Sequence, residues 1–231
     1  YRILVSEIML QQTQVDRVRM KYQPFLRQFP DLASLAKAPM ADVLRAWQGL
    51  GYNRRAMYLR RAAQEIVARQ GSALPRDPVA LARLPGIGRA TAGAIAAFAF
   101  QTPAVFIETN IRRVYIHFFF SKKKSVHDRD IMPIIAAAMS RKNPREWYYA
   151  LMDYGAMLGR EKGRANPNRH SRHYAVQSPF RGSQRERRGK ILKALLADPS
   201  LAVPILAKQL HISITKTKTV RSALQKEGLL P

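Results

Sequence analysis

Leu84-Pro85-Gly86-Ile87-Gly88-Arg89-Ala90-Thr91-Ala92-Gly93-Ala94-Ile95 is the stretch on which the reading of this chain turns. Small and apolar residues flank a Pro-Gly-x-Gly turn, the pattern of two helices joined by a tight hairpin. The glycines permit a close backbone approach that a side chain would block. A helix that starts after Gly88 aims its first N–H groups, and the positive end of its dipole, at the turn, where a phosphate is favoured. Taken alone, the same turn would serve any tight interhelical connection.

Outward from the hairpin, apolar residues recur at three-and-four spacing, as in Val43, Leu44, Trp47 and Leu50, or Ala62, Ile66 and Val67, and sustained alternation is rare. The expected fold is all-α. Pro30, Pro39, Gly49 to Gly51, Gly71 to Pro78, Pro85 to Gly88, Gln101 to Pro103 and Pro144 cut the first half into short helices. Residues 159 to 189 are rich in Arg, Gly, Pro, Asn and Ser and read as a basic connector. From Arg188 to Leu230 three helical patterns follow in short order, the last after a turn at His211 to Ser213. That spacing predicts a helix-turn-helix or winged-helix-like unit, or alternatively a small helical cap or dimerisation unit. In the first reading Thr215, Lys216, Thr217, Lys218 and Arg221 face outward on a recognition helix, with Lys216 and Lys218 as DNA contacts. The expected domains are 1–158, a connector at 159–183 and a unit at 184–231.

Forty Lys and Arg against 15 Asp and Glu give a net charge of +25. Self-repulsion on that scale points to a polyanionic partner, and the sequence complexity is too high for a simple basic tail. There is no cysteine, so disulfides and thiolate-held metals or iron–sulfur clusters are excluded. His170 and His173 show no ligand spacing, and no metal site is expected. No apolar run reaches the ~18 residues of a membrane span, and no signal pattern opens the chain. A soluble, cytoplasmic monomer is expected. Tyr1 opens in mid-pattern without an initiating Met, so a preceding segment is expected as well.

Three further stretches carry chemistry: Ser6-Glu7-Ile8-Met9-Leu10-Gln11-Gln12-Thr13-Gln14-Val15, Trp47-Gln48-Gly49-Leu50-Gly51-Tyr52, and Phe106-Ile107-Glu108-Thr109-Asn110-Ile111-Arg112-Arg113-Val114. Locally, Ser6 and Glu7 fit a helix N-cap and its first turn. Together with the hairpin and in this order, the four stretches resemble the helix-hairpin-helix (HhH-GPD) DNA glycosylases, and among them the MutY-type adenine glycosylases, over residues 1 to 158.

The resemblance implies a monofunctional base-excision enzyme that flips a base, adenine or a related mispaired or damaged base, out of duplex DNA. Glu7 falls at the general acid, Gln12 and Tyr52 at wedges that fill the vacated stack, and Glu108 at the family's catalytic Asp. A carboxylate at that place offsets the oxocarbenium-like charge, and Asn110 could orient it. Leu84, Pro85, Gly86, Ile87, Gly88, Arg89, Ala90 and Thr91 become the phosphate-binding hairpin, with room for a monovalent cation, and Arg112 a further DNA contact. Ala90 stands where bifunctional relatives carry a Schiff-base lysine, so water is the expected nucleophile. Gly159, Asn166, Arg169 and Ala175 stand at the places of the family's four cluster cysteines, so no cluster is expected. Arg164, Arg169 and Arg172 would bind phosphates there by charge. Tyr149 falls where relatives often place a polar reader of the flipped base. The expected partner is double-stranded DNA with a mismatch, lesion or abasic site. A non-catalytic sensor of distorted DNA is the second reading, motivated by Glu108, Ala90 and Tyr149. A transcription regulator built on the C-terminal unit is the third.

Overall fold

A computed structural model describes residues 1–70, 73–161, 163 and 165–230. Every regular element in them is helical, and the only strand-like pairing is an isolated parallel bridge between Val126 and Ser171. The chain divides into two compact units. The first holds Tyr1–Leu74, Leu84–Gly86 and Gln177–Pro231, and the second Pro75–Arg83 and Ile87–Val176. These units follow spatial contact, whereas the boundaries expected above follow chain order.

In the first unit, α1 (Arg2–Leu10), α2 (Val15–Gln28), α3 (Leu32–Lys37), α4 (Met40–Trp47) and α5 (Arg54–Gln70) enclose a core of Leu4, Ile8, Phe25, Leu44, Trp47 and Leu59. The Phe25 ring meets Trp47 edge-on at 5.8 Å, a geometry that adds to the area buried. Asp31 starts α3 with a capping box: its side chain accepts from Ser34 N, and Ser34 Oγ accepts in return from Asp31 N. Three late helices complete this unit, α11 (Gln184–Ala197), α12 (Val203–Leu210) and α13 (Ile214–Lys226). They bury Ile191, Leu195, Leu206 and Leu224 among themselves, and α11 packs on α4. Arg45 donates to the Leu196 carbonyl at 3.1 Å, and Glu227 takes Arg54 at 2.8 Å and Arg188 at 2.7 Å.

In the second unit, α6 (Pro78–Leu81) and α7 (Arg89–Phe100) lie on either side of the hairpin turn, followed by α8 (Thr109–Phe119), α9 (Asp128–Ala138) and α10 (Pro144–Arg160). The small residues of α7 bring it close to the chain at Phe106, where a Cβ on Gly93 would stand 2.7 Å from the Phe106 Cβ. Tyr148 is fully buried, donating to the Ala104 carbonyl at 2.8 Å, its ring tilted against Phe106 with centroids 4.0 Å apart. Burial pushes its phenol up to about 12.

Several local expectations change. Helix α1 begins at Arg2, so Ser6 is no N-cap; it lies in mid-helix and donates to Ile3 O, and Glu7 stands in the second half of the helix. The connector ends sooner than the composition around Gly189 suggests, because Ser183 caps α11 by accepting from Glu186 N and Gly189 lies inside that helix. A winged helix needs a β-hairpin, and residues 184–230 contain none, leaving a plain three-helix unit. Thr217 is fully buried instead of facing outward, its hydroxyl turned back to Ser213 O. Thr215, Lys216 and Lys218 are exposed, and Arg221 is half-buried against the Leu201 carbonyl.

Candidate functional site

Glu7 is half-buried one turn before the end of α1, preceded by buried Leu4 and Val5 and followed by buried Ile8 and Met9. Past that helix the chain reverses through Gln11, Gln12 and Thr13, and Gln12 is exposed with a left-handed backbone, φ +54°. Tyr52 is likewise left-handed, φ +47°, with 38% of its surface exposed. Its hydroxyl accepts from Gln177 Nε2 and from Arg185 Nη1, the latter at 3.1 Å. Both of the expected wedges therefore sit at turns of the first unit and reach solvent.

What fixes these turns is Arg55, which the sequence reading passed over. It is 8% exposed, and its two terminal nitrogens donate to the carbonyls of Ile8, Met9, Gln11, Leu50 and Gly51 and to Thr13 Oγ1, at 2.5 to 3.1 Å. Burial holds the guanidinium down to about 10, with only the nearby Tyr52 acting to raise it, so it stays charged at neutral pH. Among 40 basic residues, nothing in the local pattern separates this one from a solvated arginine.

The hairpin presents exposed Gly86, Gly88, Arg89 and Ala90 around buried Ile87, with Leu84, Pro85 and Thr91 half-buried. Gly86 is left-handed, φ +76°, and a Cβ on it would approach Tyr58 Cβ to 2.6 Å, so a turn of this shape requires glycine. Gln11 Nε2 donates to the Gly86 carbonyl at 3.4 Å. Gly88 is the N-cap of α7, and no side chain caps that end. The first N–H groups of α7 are thus presented by backbone alone, as anion binding requires.

In the second unit, Glu108 is the N-cap of α8. Its Oε1 accepts from Asn110 N at 2.6 Å and Ile111 N at 2.7 Å. Both cap bonds go to one oxygen, so the second is not spent on the cap. Asn110 Oδ1 accepts from Arg113 Nη1 at 2.8 Å, and Arg113 also donates to Asn166 Oδ1 at 3.1 Å and to the Gly155 carbonyl. Burial holds the Arg113 guanidinium below its usual range, partly offset by the charge of Glu108. Asn110 is therefore anchored to arginine. Arg112, expected as a DNA contact, instead makes a two-pronged pair with Asp128 at 2.7 and 2.8 Å, its side chain 15% exposed. Burial alone would raise Asp128, but the Arg112 bond and charge, with His173 nearby, bring it below the ordinary carboxylate range.

The four places that the resemblance aligns with cluster cysteines hold Gly159, Asn166, Arg169 and Ala175, none of which offers a thiolate. A Cβ at Gly159 would meet the Arg113 guanidinium at 2.5 Å, Asn166 accepts from Arg113, and Arg169 is exposed. The segment is pinned by other means: Asn168 Nδ2 donates to Thr109 O at 2.9 Å, Val126 N to His170 O at 2.7 Å, and Arg172 N to Val126 O at 2.9 Å. A cavity of about 140 Å³ remains there, with Arg112, Arg113, Asn168 and Tyr174 among its walls. Exposed Arg172 also donates to Ser125 Oγ at 3.1 Å, and Arg164 lies outside the described residues. Tyr149 is 38% exposed and stacked on Phe98 at 4.8 Å. Among the described residues there is no group of three His, Cys, Asp or Glu that could hold a metal, and no helix long and apolar enough to cross a membrane.

Residues 5–135 match the profile of the HhH-GPD superfamily, base excision DNA repair proteins. An adenine DNA glycosylase of Mycolicibacterium smegmatis is 35% identical over 212 residues, 84% of this chain and 71% of its own length. One from Mycobacterium tuberculosis is 38% identical over 161 residues, 68% of this chain and 53% of its own length. The mouse adenine DNA glycosylase is 33% identical over 206 residues, 87% of this chain and 39% of its own. The chain thus spans about half of the tuberculosis relative and less of the mouse one. Among solved structures, a thermostable thymine-DNA glycosylase superimposes with a TM-score of 0.62 at 23% identity, covering 71% of this chain and 76% of that one. A trapped endonuclease III–DNA covalent intermediate gives 0.61 at 16% identity, covering 70% and 76%. At these identities the likeness is one of fold.

Proposed function

This chain belongs to the HhH-GPD superfamily of base excision DNA repair proteins, and from that premise we propose that it is a monofunctional DNA glycosylase acting on adenine, or a related mispaired base, in duplex DNA. The observation that carries the reading is Glu108: a carboxylate held by one oxygen at a helix N-terminus, with the other left over for chemistry. In the proposed reaction the C1′–N bond of a flipped nucleotide breaks and its electron pair leaves with the base. Glu7 supplies the proton that makes the base a better leaving group. Glu108 offsets the positive charge that develops on the sugar. Water adds to C1′ and gives up a proton that, through solvent, restores the acid form of Glu7, leaving an intact strand with an abasic site.

Gln12 and Tyr52 fill the hole in the stack, which offsets the few kcal/mol that flipping costs. The hairpin from Leu84 to Thr91 takes a phosphate, and Lys216, Lys218, Arg169 and Arg172 add contacts by charge alone. Arg112 is not assigned to DNA, because its fork is filled by Asp128. With Ala90 in the hairpin, no amine stands there to form a Schiff base, and no lyase step is assigned.

The test is a panel of end-labelled duplexes, each with one mismatch or lesion, incubated with protein and then treated with hot alkali. Strand breaks that appear only after alkali, with little covalent complex trapped by borohydride, are expected. Tight binding to distorted duplexes without breaks on any of them would replace the enzyme with a sensor, and efficient trapping would assign a lyase amine elsewhere.

A further inference from the structure

Among the described residues, four other than glycine have left-handed backbones: Gln12, Tyr52, Gln101 and His211. Gln101 and His211 each close a helix, where that conformation is common. Gln12 and Tyr52 lie in turns, and a strained backbone persists in a turn only where its surroundings over-determine it. Both turns are held by one side chain. Arg55 Nη1 gathers the carbonyls of Ile8, Met9 and Gln11 at 2.8, 2.8 and 2.5 Å; Nη2 takes Thr13 Oγ1 at 2.8 Å and the Leu50 and Gly51 carbonyls, both at 3.1 Å.

Ile8 and Met9 carry two of the last carbonyls of α1, which have no partner inside the helix and favour a cation. Gln11 and Thr13 bracket Gln12, and Leu50 and Gly51 lead directly into Tyr52. Thr13 Oγ1 also donates to Leu50 O at 3.1 Å, closing the link between the turns. Among the described residues no carboxylate is a partner of Arg55, although burying an unpaired charge is costly. Its Nε is buried without any partner.

We propose that Arg55 is a positioning residue for base flipping, its buried guanidinium tying the Gln12 turn and the Tyr52 turn to one point so that both wedges are preformed before DNA arrives. The proposal rests on the glycosylase reading and on the wedge roles given above. A lysine has three donors and no planar fork, so it holds part of this arrangement; methionine holds none of it.

The test uses the full chain and a duplex with 2-aminopurine beside an adenine opposite 8-oxoguanine, whose fluorescence rises as the stack opens. The order wild type, Arg55→Lys, Arg55→Met is expected, with the rise at least ~10-fold slower in Arg55→Met, the scale of small positional errors. Affinity for plain duplex should stay within about 2-fold of wild type, since its electrostatic part does not depend on the wedges. Thr13→Val, which deletes the hydroxyl's bonds to Arg55 and to the Leu50 carbonyl without touching the charge, should slow the rise several-fold, and it decides the matter if the Arg55 variants fold poorly. Folded variants that open the stack at the wild-type rate overturn the proposal and leave the glycosylase reading intact. So does a loss of opening that only tracks loss of plain-duplex binding. A wild type that opens no duplex of the panel overturns both.

Discussion

At the scale of the residue, Glu108 joins two jobs that substitution can separate. As N-cap it satisfies two backbone donors of α8, worth about 0.5–2 kcal/mol; as a carboxylate it is the proposed counter-charge. Glu108→Gln keeps an acceptor for the cap and loses the charge, so single-turnover excision should be abolished while the melting temperature moves by no more than a few degrees. Glu108→Asp keeps both, because an aspartate caps the same N2 and N3 donors with less folding back of its side chain. Its excision rate should stay within a few-fold of wild type, and a loss comparable with that of the Gln variant would show that the site is built around the longer acid. Resemblance supplies such candidates position by position, and the structure adds only that Glu7, Gln12, Tyr52, Glu108 and Asn110 all reach solvent at least in part. The charges that hold them were not legible. Arg55 and Arg113 read as two more basic residues among 40, and only burial and hydrogen-bond geometry distinguish them. Arg112 shows the reverse error, a base expected to meet DNA that Asp128 already occupies.

At the scale of the element, α8 is placed by its crossing with α10. A Cβ on Gly155 would run into the Asn110 carbonyl, which is backbone and cannot swing aside. Gly155→Ala should therefore force α10 away from the N-terminus of α8, the end that bears Glu108 and Asn110. Overpacking of this kind costs about 1–3 kcal/mol, so both the melting temperature and the excision rate should fall, and a variant with wild-type values of both would show that the crossing relaxes freely. Helix existence was legible from the 3.6-residue periodicity, as in α4, where Val43, Leu44 and Trp47 are all buried. Helix ends were less so. The start of α1 was hidden because Ser6 has cap chemistry yet bonds back to Ile3 O in mid-helix. In the first turns of α11, Arg185, Arg187, Arg188 and Gly189 look like connector by composition yet are helical.

At the scale of the whole molecule, 40 basic against 15 acidic residues predict binding to plain duplex that falls at least ~10³-fold between 50 and 200 mM salt if six or more phosphates are engaged; a salt-insensitive affinity in a filter or fluorescence titration would contradict this. The partition into units was not legible, because it rests on pairs such as Arg45 with Leu196 and Arg54 with Glu227, more than 150 residues apart, which no local pattern announces. The pair at Glu227 supplies the last prediction. Hydrogen bonds from Arg54, and after them from Arg188, outweigh the opposing effect of burial and hold this carboxyl down to about 2, from an ordinary 4.5. A depressed carboxylate contributes stability that is fully present above its unfolded value and is lost as pH falls through its folded value, so here the window runs from about 4.5 down to about 2. Glu227→Gln removes that contribution and leaves α13 without its tie to Arg54 of α5 and Arg188 of α11. At pH 7 the variant should melt roughly 3–6 °C below wild type, the shift expected for one to two kcal/mol in a chain of this size. Other carboxylates are depressed too, Asp31 and Asp128 among them, so both proteins should lose stability in acid, but the gap between them should close as pH approaches 2. A gap that stays constant from pH 7 to pH 2 would mean that Glu227 acts through packing, with its charge irrelevant to the tie.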